Sequence, residues 1–228
     1  MEVCAIIPAR GGSKGISRKN LQCVGGKTLI VRTIEAAIKS EYVNRIIVST
    51  DDKEIFEVAQ TNGSEVIDRP GKISGDDATS ESVLLDVLGK LKKRENYFPD
   101  ITIFLQCTSP FTIPEDIDGT ISTLIDNKAD SAFTAADFHH FIWKKNDVES
   151  MVGINHNEKE LRKPRQSIET QFLEAGSVYA FKTKRFLKEK NRFFGKVVFH
   201  TIPAERVFEI DNEEELKQAN IIVEDLSQ

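Results

Sequence analysis

The stretch Pro8-Ala9-Arg10-Gly11-Gly12-Ser13-Lys14-Gly15-Ile16-Ser17-Arg18-Lys19-Asn20-Leu21 gathers three glycines and four basic side chains into one segment. Glycines let backbone N–H groups approach phosphate oxygens, while arginine and lysine neutralise their charge, arginine through two parallel hydrogen bonds. Ser13 and Asn20 add short polar side chains, and that of Asn20 both donates and accepts. Such a loop offers phosphate binding. A plain basic surface loop has the same composition, and position separates the two: the segment directly follows Val3 to Pro8, an apolar run that reads as a buried strand. Spacing excludes two commoner phosphate motifs. Gly25-Gly26-Lys27-Thr28 looks like the end of a P-loop, but that motif's first glycine would fall at position 21, which is Leu21. A turn is expected there instead. Gly11, Gly12 and Gly15 have the wrong offsets for the dinucleotide fingerprint G-x-G-x-x-G.

The loop needs a scaffold, and strand-like and helix-like runs alternate around it. Ile30, Ile34 and Ile38 predict one helical stripe, and Arg45 to Thr50 a buried strand. Asp51, with Glu54 three residues later, is the expected cap of a helix whose apolar face is Ile55, Phe56 and Ala59. Glu65 to Asp68 reads as a short strand. Val83, Leu84, Val87, Leu88 and Leu91 form a helix, Ile101 to Leu105 a continuous apolar strand, and Ile117, Ile121 and Ile125 another helix. From about Phe138 to Gly176 the alternation fails, which predicts a small inserted lobe on a single domain spanning 1–228. Strands are then expected at 178–181, 197–199 and 207–211, with a last helix from about Glu213. This pattern predicts an α/β, Rossmann-like, mainly parallel sheet with helices on both faces, binding ligands at the carboxyl ends of its strands.

Composition sets the partners. The 228 residues carry a formal net charge of −5, with 39% hydrophobic and 29% charged residues, as in an ordinary globular chain. That balance favours neither nucleic acid nor an anionic membrane, and no run approaches the ~18 apolar residues of a membrane span. The start, Met1 to Pro8, lacks the basic opening and long apolar core of a signal peptide. Cys4, Cys23 and Cys107 are an odd number without ligand spacing, so reduced thiols and a cytoplasmic location are expected. His139-His140 has no other ligand nearby in sequence to suggest zinc.

At the glycine-rich loop the sequence resembles the acylneuraminate cytidylyltransferases, or CMP-sialic acid synthetases. The likeness continues in order and approximate spacing through Ser49-Thr50-Asp51-Asp52, Arg69-Pro70, Asp77 to Ser82, Leu105 to Pro110, Arg162 to Gln166, Gly176 to Tyr179 and Ile210-Asp211, essentially the whole chain. The resemblance implies a nucleotidyltransferase that joins CMP from CTP to a nine-carbon 2-keto sugar acid of the N-acetylneuraminic type and releases pyrophosphate. It assigns Arg10, Gly11, Gly12, Ser13, Lys14, Lys19, Asn20, Arg69 and Ser80 to the nucleotide, with Arg10, Lys19, Arg165 and Asp211 in catalysis. Gln106, Lys144, Arg165, Gln166, Tyr179, Phe193 and Phe194 would meet the sugar acid. Mg²⁺, which needs only one or two carboxylates beside substrate phosphates, would take Asp211 and Glu209. Glu209 stands where relatives often carry aspartate, and Phe111-Thr112-Ile113 where many carry an arginine. The resemblance also implies a homodimer joined through the Phe138 to Gly176 lobe, with part of each sugar site supplied by the partner chain. Legionaminic and pseudaminic acids differ from the N-acetylneuraminic type at substituents that only pocket shape reads, so they or another keto-sugar acid stand as alternative substrates, whereas the Gly11–Gly15 run is unlike the KDO-activating branch. A non-catalytic nucleotide-binding regulator is the reading from another class.

Overall fold

The computed structural model of the chain describes residues 1–13, 15–75, 78–162, 164, 167 and 169–226. Its centre is strand β1 (Val3–Pro8), whose alternate side chains enter two cores. Val3, Ala5 and Ile7 face one, and Cys4 and Ile6 the other. Burial on both faces is why this strand reads as an unbroken apolar run. A short hairpin of β2 (Cys23–Val24) and β3 (Lys27–Thr28) follows, turning through Gly25 and Gly26 at φ +57° and +77°. That left-handed turn, which glycine adopts without strain, is what the P-loop look-alike encodes.

Helix α1 (Leu29–Lys39), β4 (Arg45–Thr50), α2 (Lys53–Thr61), β5 (Glu65–Asp68), α3 (Ser80–Glu95), β6 (Ile101–Leu105) and α4 (Pro114–Asp126) complete the regular half. Next come β7 (Ser131–Phe138), β8 (Trp143–Lys145), β9 (Met151–Gly153), β10 (Gln171–Lys182), α5 (Thr183–Glu189), β11 (Val197–Thr201) and α6 (Glu213–Leu226). The main sheet has the order β11-β7-β10-β6-β1-β4-β5. Ile6 pairs with Ile47 on one side and Phe104 on the other, both in parallel register, and only β10 runs antiparallel to its neighbours. Helices α1, α2, α4 and α6 cover one face, and α3 and α5 the other. The chain leaves β1 towards β4 and β5, then returns to β6 on the opposite side. That reversal opens a crevice beyond the carboxyl ends of β1 and β6.

Four expectations are corrected. Ile38 and Ile125 are 51% and 38% exposed, whereas Ala37 and Leu124 are buried. Eight residues at ~100° each overshoot two turns by about 80°, while seven fall within about 20°, so a strict four-residue repeat drifts off its face. The cap of α2 is Asp52, which accepts from the Ile55 N–H at 3.0 Å, and not Asp51. Residues 171–174, expected in the irregular lobe, pair with β7, so what leaves the main sheet is the narrower 139–170 segment carrying the β8–β9 hairpin. Residues 207–211 form no strand. Phe208 packs on Phe111 at 5.6 Å and the Ile210 N–H donates to the Thr108 carbonyl at 2.9 Å, which spends the segment's apolar side chains on the loop after β6 rather than on a sheet edge.

Candidate active site

The crevice is a cleft of about 540 Å³, walled by the loops after β1, β5 and β6, the start of α3, and the 207–211 segment. From the β1 loop come Arg10, Ser13, Gly15, Lys19 and Asn20. The loop is pinned from within and from α2. Asn20, almost fully buried, donates from Nδ2 to the Arg10 carbonyl at 2.9 Å. The Gly11 N–H donates to Asp51 Oδ1 at 3.0 Å, and Arg18 bridges Asp52 and Glu54 at 2.7 Å each. Arg18 therefore faces α2 rather than a ligand. Gly15 lies against the Asp211 carbonyl so closely that a Cβ there would collide with it. This contact brings the basic loop and the acidic 207–211 segment together.

Arg69 enters from the loop after β5. It is 6% exposed, its Nε donates to the Ile73 carbonyl at 2.6 Å, and its own N–H donates to the Thr50 carbonyl at 2.8 Å. Burial pulls its pKa down, and nearby Asp51 acts against that pull. Ser80 is the first residue of α3, and Thr79 before it accepts from the Ser82 N–H as the cap, so Ser80 is left to line the cleft. Gln106, Cys107 and Thr108 follow β6 into the same wall. Burial pushes the Cys107 thiol up to about 12, which keeps it protonated near neutrality and excludes a thiolate nucleophile.

Facing these groups are Glu209 and Asp211. Asp211 Oδ1 accepts from Lys19 Nζ at 2.8 Å. The cap of α6 is supplied by Asn212, whose Oδ1 accepts from the Glu215 N–H at 3.0 Å while Glu215 Oε2 takes the N–H groups of Asp211 and Asn212. The carboxylate of Asp211 is thereby spared for the cleft. Gln106 Nε2 reaches Glu209 Oε1 at 3.5 Å. Crowding by surrounding protein, and then the Asp211 charge, raise the Glu209 pKa. A cation between two such carboxylates would relieve that repulsion, so this donor set fits Mg²⁺ in its usual binding mode of one or two carboxylates plus substrate phosphates. Among the described residues no cluster of three or more His, Cys, Asp or Glu has a metal-holding arrangement.

Other residues named from sequence lie elsewhere. Gly11 and Gly12 belong to the pinned loop without lining the cleft, and Lys144 is exposed on β8. Tyr179 is 4% exposed, stacks on Phe104 at 5.4 Å, and donates its hydroxyl to Glu174 at 2.5 Å. Phe193 packs edge-on against Phe133 at 5.4 Å, and Phe194 is buried in the second core near Phe181. The aromatic pair thus sits behind the cleft wall in this chain. Lys14, Arg165 and Gln166 lie outside the described residues. Sequence reasoning missed the holding role of Asp51, Asp52 and Arg18. The block Ser49-Thr50-Asp51-Asp52 carried that signal, since it places two carboxylates at a strand end beside the basic loop.

By fold this is a nucleotidyltransferase-type α/β protein. The solved structure of CMP:2-keto-3-deoxy-manno-octonic acid synthetase complexed with CTP matches it with a TM-score of 0.70 at 17% identity, covering 99% of this chain and 100% of that one. Within that class the chain belongs to the cytidylyltransferase family, whose model matches residues 4–227. N-acylneuraminate cytidylyltransferase A of Danio rerio is 32% identical over 214 residues, which are 92% of this chain and 48% of the relative. The chain therefore spans about half the length of that relative. Pseudaminic acid cytidylyltransferase of Campylobacter jejuni is 29% identical over 228 residues, 97% of this chain and 96% of the relative. No helix among the described residues is long and apolar enough to cross a membrane.

Proposed function

We propose that this chain transfers CMP from CTP to a nine-carbon 2-keto sugar acid of the N-acetylneuraminic type. The observation that carries the reading is one cleft in which Arg10, Lys19 and Arg69 line the same space as Glu209 and Asp211. The anomeric hydroxyl oxygen bonds to the α-phosphorus, the bond from that phosphorus to the β-phosphate bridge oxygen breaks, the hydroxyl proton passes to solvent, and pyrophosphate leaves. Such a transfer depends mainly on positioning and on spreading charge. Lys19 and Arg10 would hold the triphosphate, Asn20 would keep Arg10's backbone in place, and Arg69 and Ser80 would hold the nucleotide from the α3 side. Mg²⁺, bound by Asp211 and Glu209 with the phosphates, would supply charge neutralisation at the α-phosphate. Lys14, Arg165, Gln166, Gln106 and Lys144 would meet the sugar acid and phosphates by family likeness.

The same reaction on pseudaminic or legionaminic acid is the second reading, supported by the end-to-end match to the Campylobacter enzyme. A homodimer accompanies either. The 139–173 region exposes Ile142, Trp143, Val148, Met151, Ile154, Phe172 and Leu173, an apolar set suited to burial against a second copy. Pyrophosphate release from each nucleoside triphosphate, with Mg²⁺ and a panel of N-acetylneuraminic, legionaminic, pseudaminic and KDO acids, tests the proposal. Release with CTP and one nine-carbon acid supports it and names the substrate. CTP binding without release in any pairing would favour a nucleotide-binding regulator.

A further inference from the structure

Behind the cleft wall lies a charged pair that the reaction as outlined does not use. Arg192, between α5 and β11, donates from Nε to Glu81 Oε1 at 2.7 Å, and the two side chains are only 17% and 20% exposed. The same guanidinium lies 4.9 Å from the Phe104 ring centre and 4.7 Å from that of Tyr179, two rings that stack on each other. Neither Arg192 nor Glu81 lines the cleft, but Ser80 and Val83 on either side of Glu81 do, and so does Phe104. The loop that carries Arg192 is itself fixed: Phe194 exchanges two hydrogen bonds with the buried Ser131 hydroxyl, at 3.1 and 3.2 Å.

We infer that Arg192 is a positioning residue that sets the nucleotide wall of the cleft by tying the first turn of α3 to the Phe104–Tyr179 pair. Apolar side chains of similar volume commonly stabilise such a place as well as an ion pair does, so stability alone does not call for this arrangement. A flat guanidinium does something apolar side chains do not: it fixes a carboxylate by hydrogen bond and two ring faces by stacking, in one geometry. Glu81 follows Ser80 directly, so any slip of this bond moves the residue assigned to the nucleotide. The inference rests on the proposed function for the identity of the nucleotide.

CTP affinity of the full chain, measured by titration calorimetry beside steady-state turnover, tests it in wild type, R192Q, R192K, E81Q and the E81Q/R192Q double variant. R192Q and E81Q are each expected to weaken CTP binding roughly tenfold, as small misplacements of binding groups do. The double variant should be no worse than the weaker single, because both remove one contact. R192K, keeping the charge opposite Glu81 but not the ring stacking, should recover part of the affinity. In turnover, KM for CTP should rise while kcat stays within about twofold. A purely structural role would instead lower the melting temperature and the active fraction at unchanged affinity, and that result would overturn the inference. Should R192Q fail to fold, R192K and E81Q decide alone: wild-type affinity in both overturns it. Wild type reports separately on the parent reading. Binding of CTP without pyrophosphate release would overturn the reaction while leaving the affinity comparison in force, and no CTP binding by wild type would overturn both.

Discussion

The loop after β1 and the segment between β7 and β10 are both long and irregular, and their described residues are held in opposite ways. The described residues of 9–21 are held by an internal side-chain bond, Asn20 to Arg10, and by ties to two other places: Gly11 and Arg18 to Asp51, Asp52 and Glu54, and Lys19 to Asp211. In the 139–170 segment the described residues fold mostly on themselves. Its hairpin closes through Ile154 and Ile142, its base is tied to β10 by Asn155 and Gln171 at 2.7 Å, and its apolar side chains face outward. A loop that must present cations at fixed spacing needs anchors within its own chain, because mobile lysines and arginines lose much of their binding energy to ordering. A hairpin with exposed Trp143, Met151 and Val148 would, in the proposed homodimer, obtain its anchor from a second copy. On the proposed reading, the described nucleotide-binding groups all come from one chain, and the sugar half would draw on a second.

That contrast can be broken most sharply at its acidic end. Asp211→Asn is expected to lower turnover by about 100-fold or more, since it removes both the proposed Mg²⁺ ligand and the partner of Lys19. Pyrophosphate release measures this, and wild-type turnover in the variant would remove Asp211 from the site. Next in size, Met151→Asp should convert a dimer to monomer in sedimentation velocity and raise KM for the sugar acid about tenfold, with CTP affinity unchanged. Equal losses for CTP would show that the two halves are not separable. Arg18→Ala cuts the clip to α2 and should raise KM for CTP about fivefold, as the loss of a partly exposed pair worth ~1 kcal/mol would. The sugar-acid KM serves as its control.

The smallest effect concerns Glu209. Its folded pKa lies above that of an unfolded glutamate because of crowding and the Asp211 charge. The folded state therefore holds the proton more tightly, so the stability this group contributes is full below about pH 4, near the unfolded value, and is lost as pH rises through the raised folded value. Glu209→Gln should match wild type in denaturant midpoint near pH 4 and exceed it slightly near pH 7. A variant less stable than wild type at pH 7 would show that Glu209 is held by favourable contacts instead.

Much of the scaffold was legible because strands buried on both faces, β1, β4 and β6, write themselves as apolar runs. The loop residues Arg10, Ser13, Lys19, Asn20, Arg69, Ser80, Gln106, Glu209 and Asp211 converge as the motif order suggested. What failed to show in the sequence depends on distances across the fold. Asp51 and Asp52 are adjacent and chemically alike, and only the direction of each side chain decides which caps α2 and which holds Gly11. Val207 to Asp211 has the apolar content of a strand, but Phe208 packs on Phe111 and the Ile210 N–H donates to the Thr108 carbonyl, contacts that no local pattern announces. Tyr179, Phe193 and Phe194, assigned to the sugar acid by resemblance, join the second core in this chain, Tyr179 and Phe194 buried in it and Phe193 packed against it, and a cluster of rings in sequence does not tell core from pocket. Glu81 and Arg192 stand 111 residues apart, and no spacing rule joins them.

The ion pair between Lys19 and Asp211 gives the cleft a resting counterion of its own. On the proposed reading, Lys19 would give up this carboxylate for a phosphate oxygen and Asp211 would be freed to hold Mg²⁺, so charges would change partners rather than being newly neutralised. Fewer dissolved ions are displaced by such an exchange than by docking on bare cations. Affinity for the nucleotide should consequently respond to ionic strength less steeply than the number of basic residues around the cleft would suggest. On that reading the net-acidic chain would gain a phosphate site with little attraction for other polyanions.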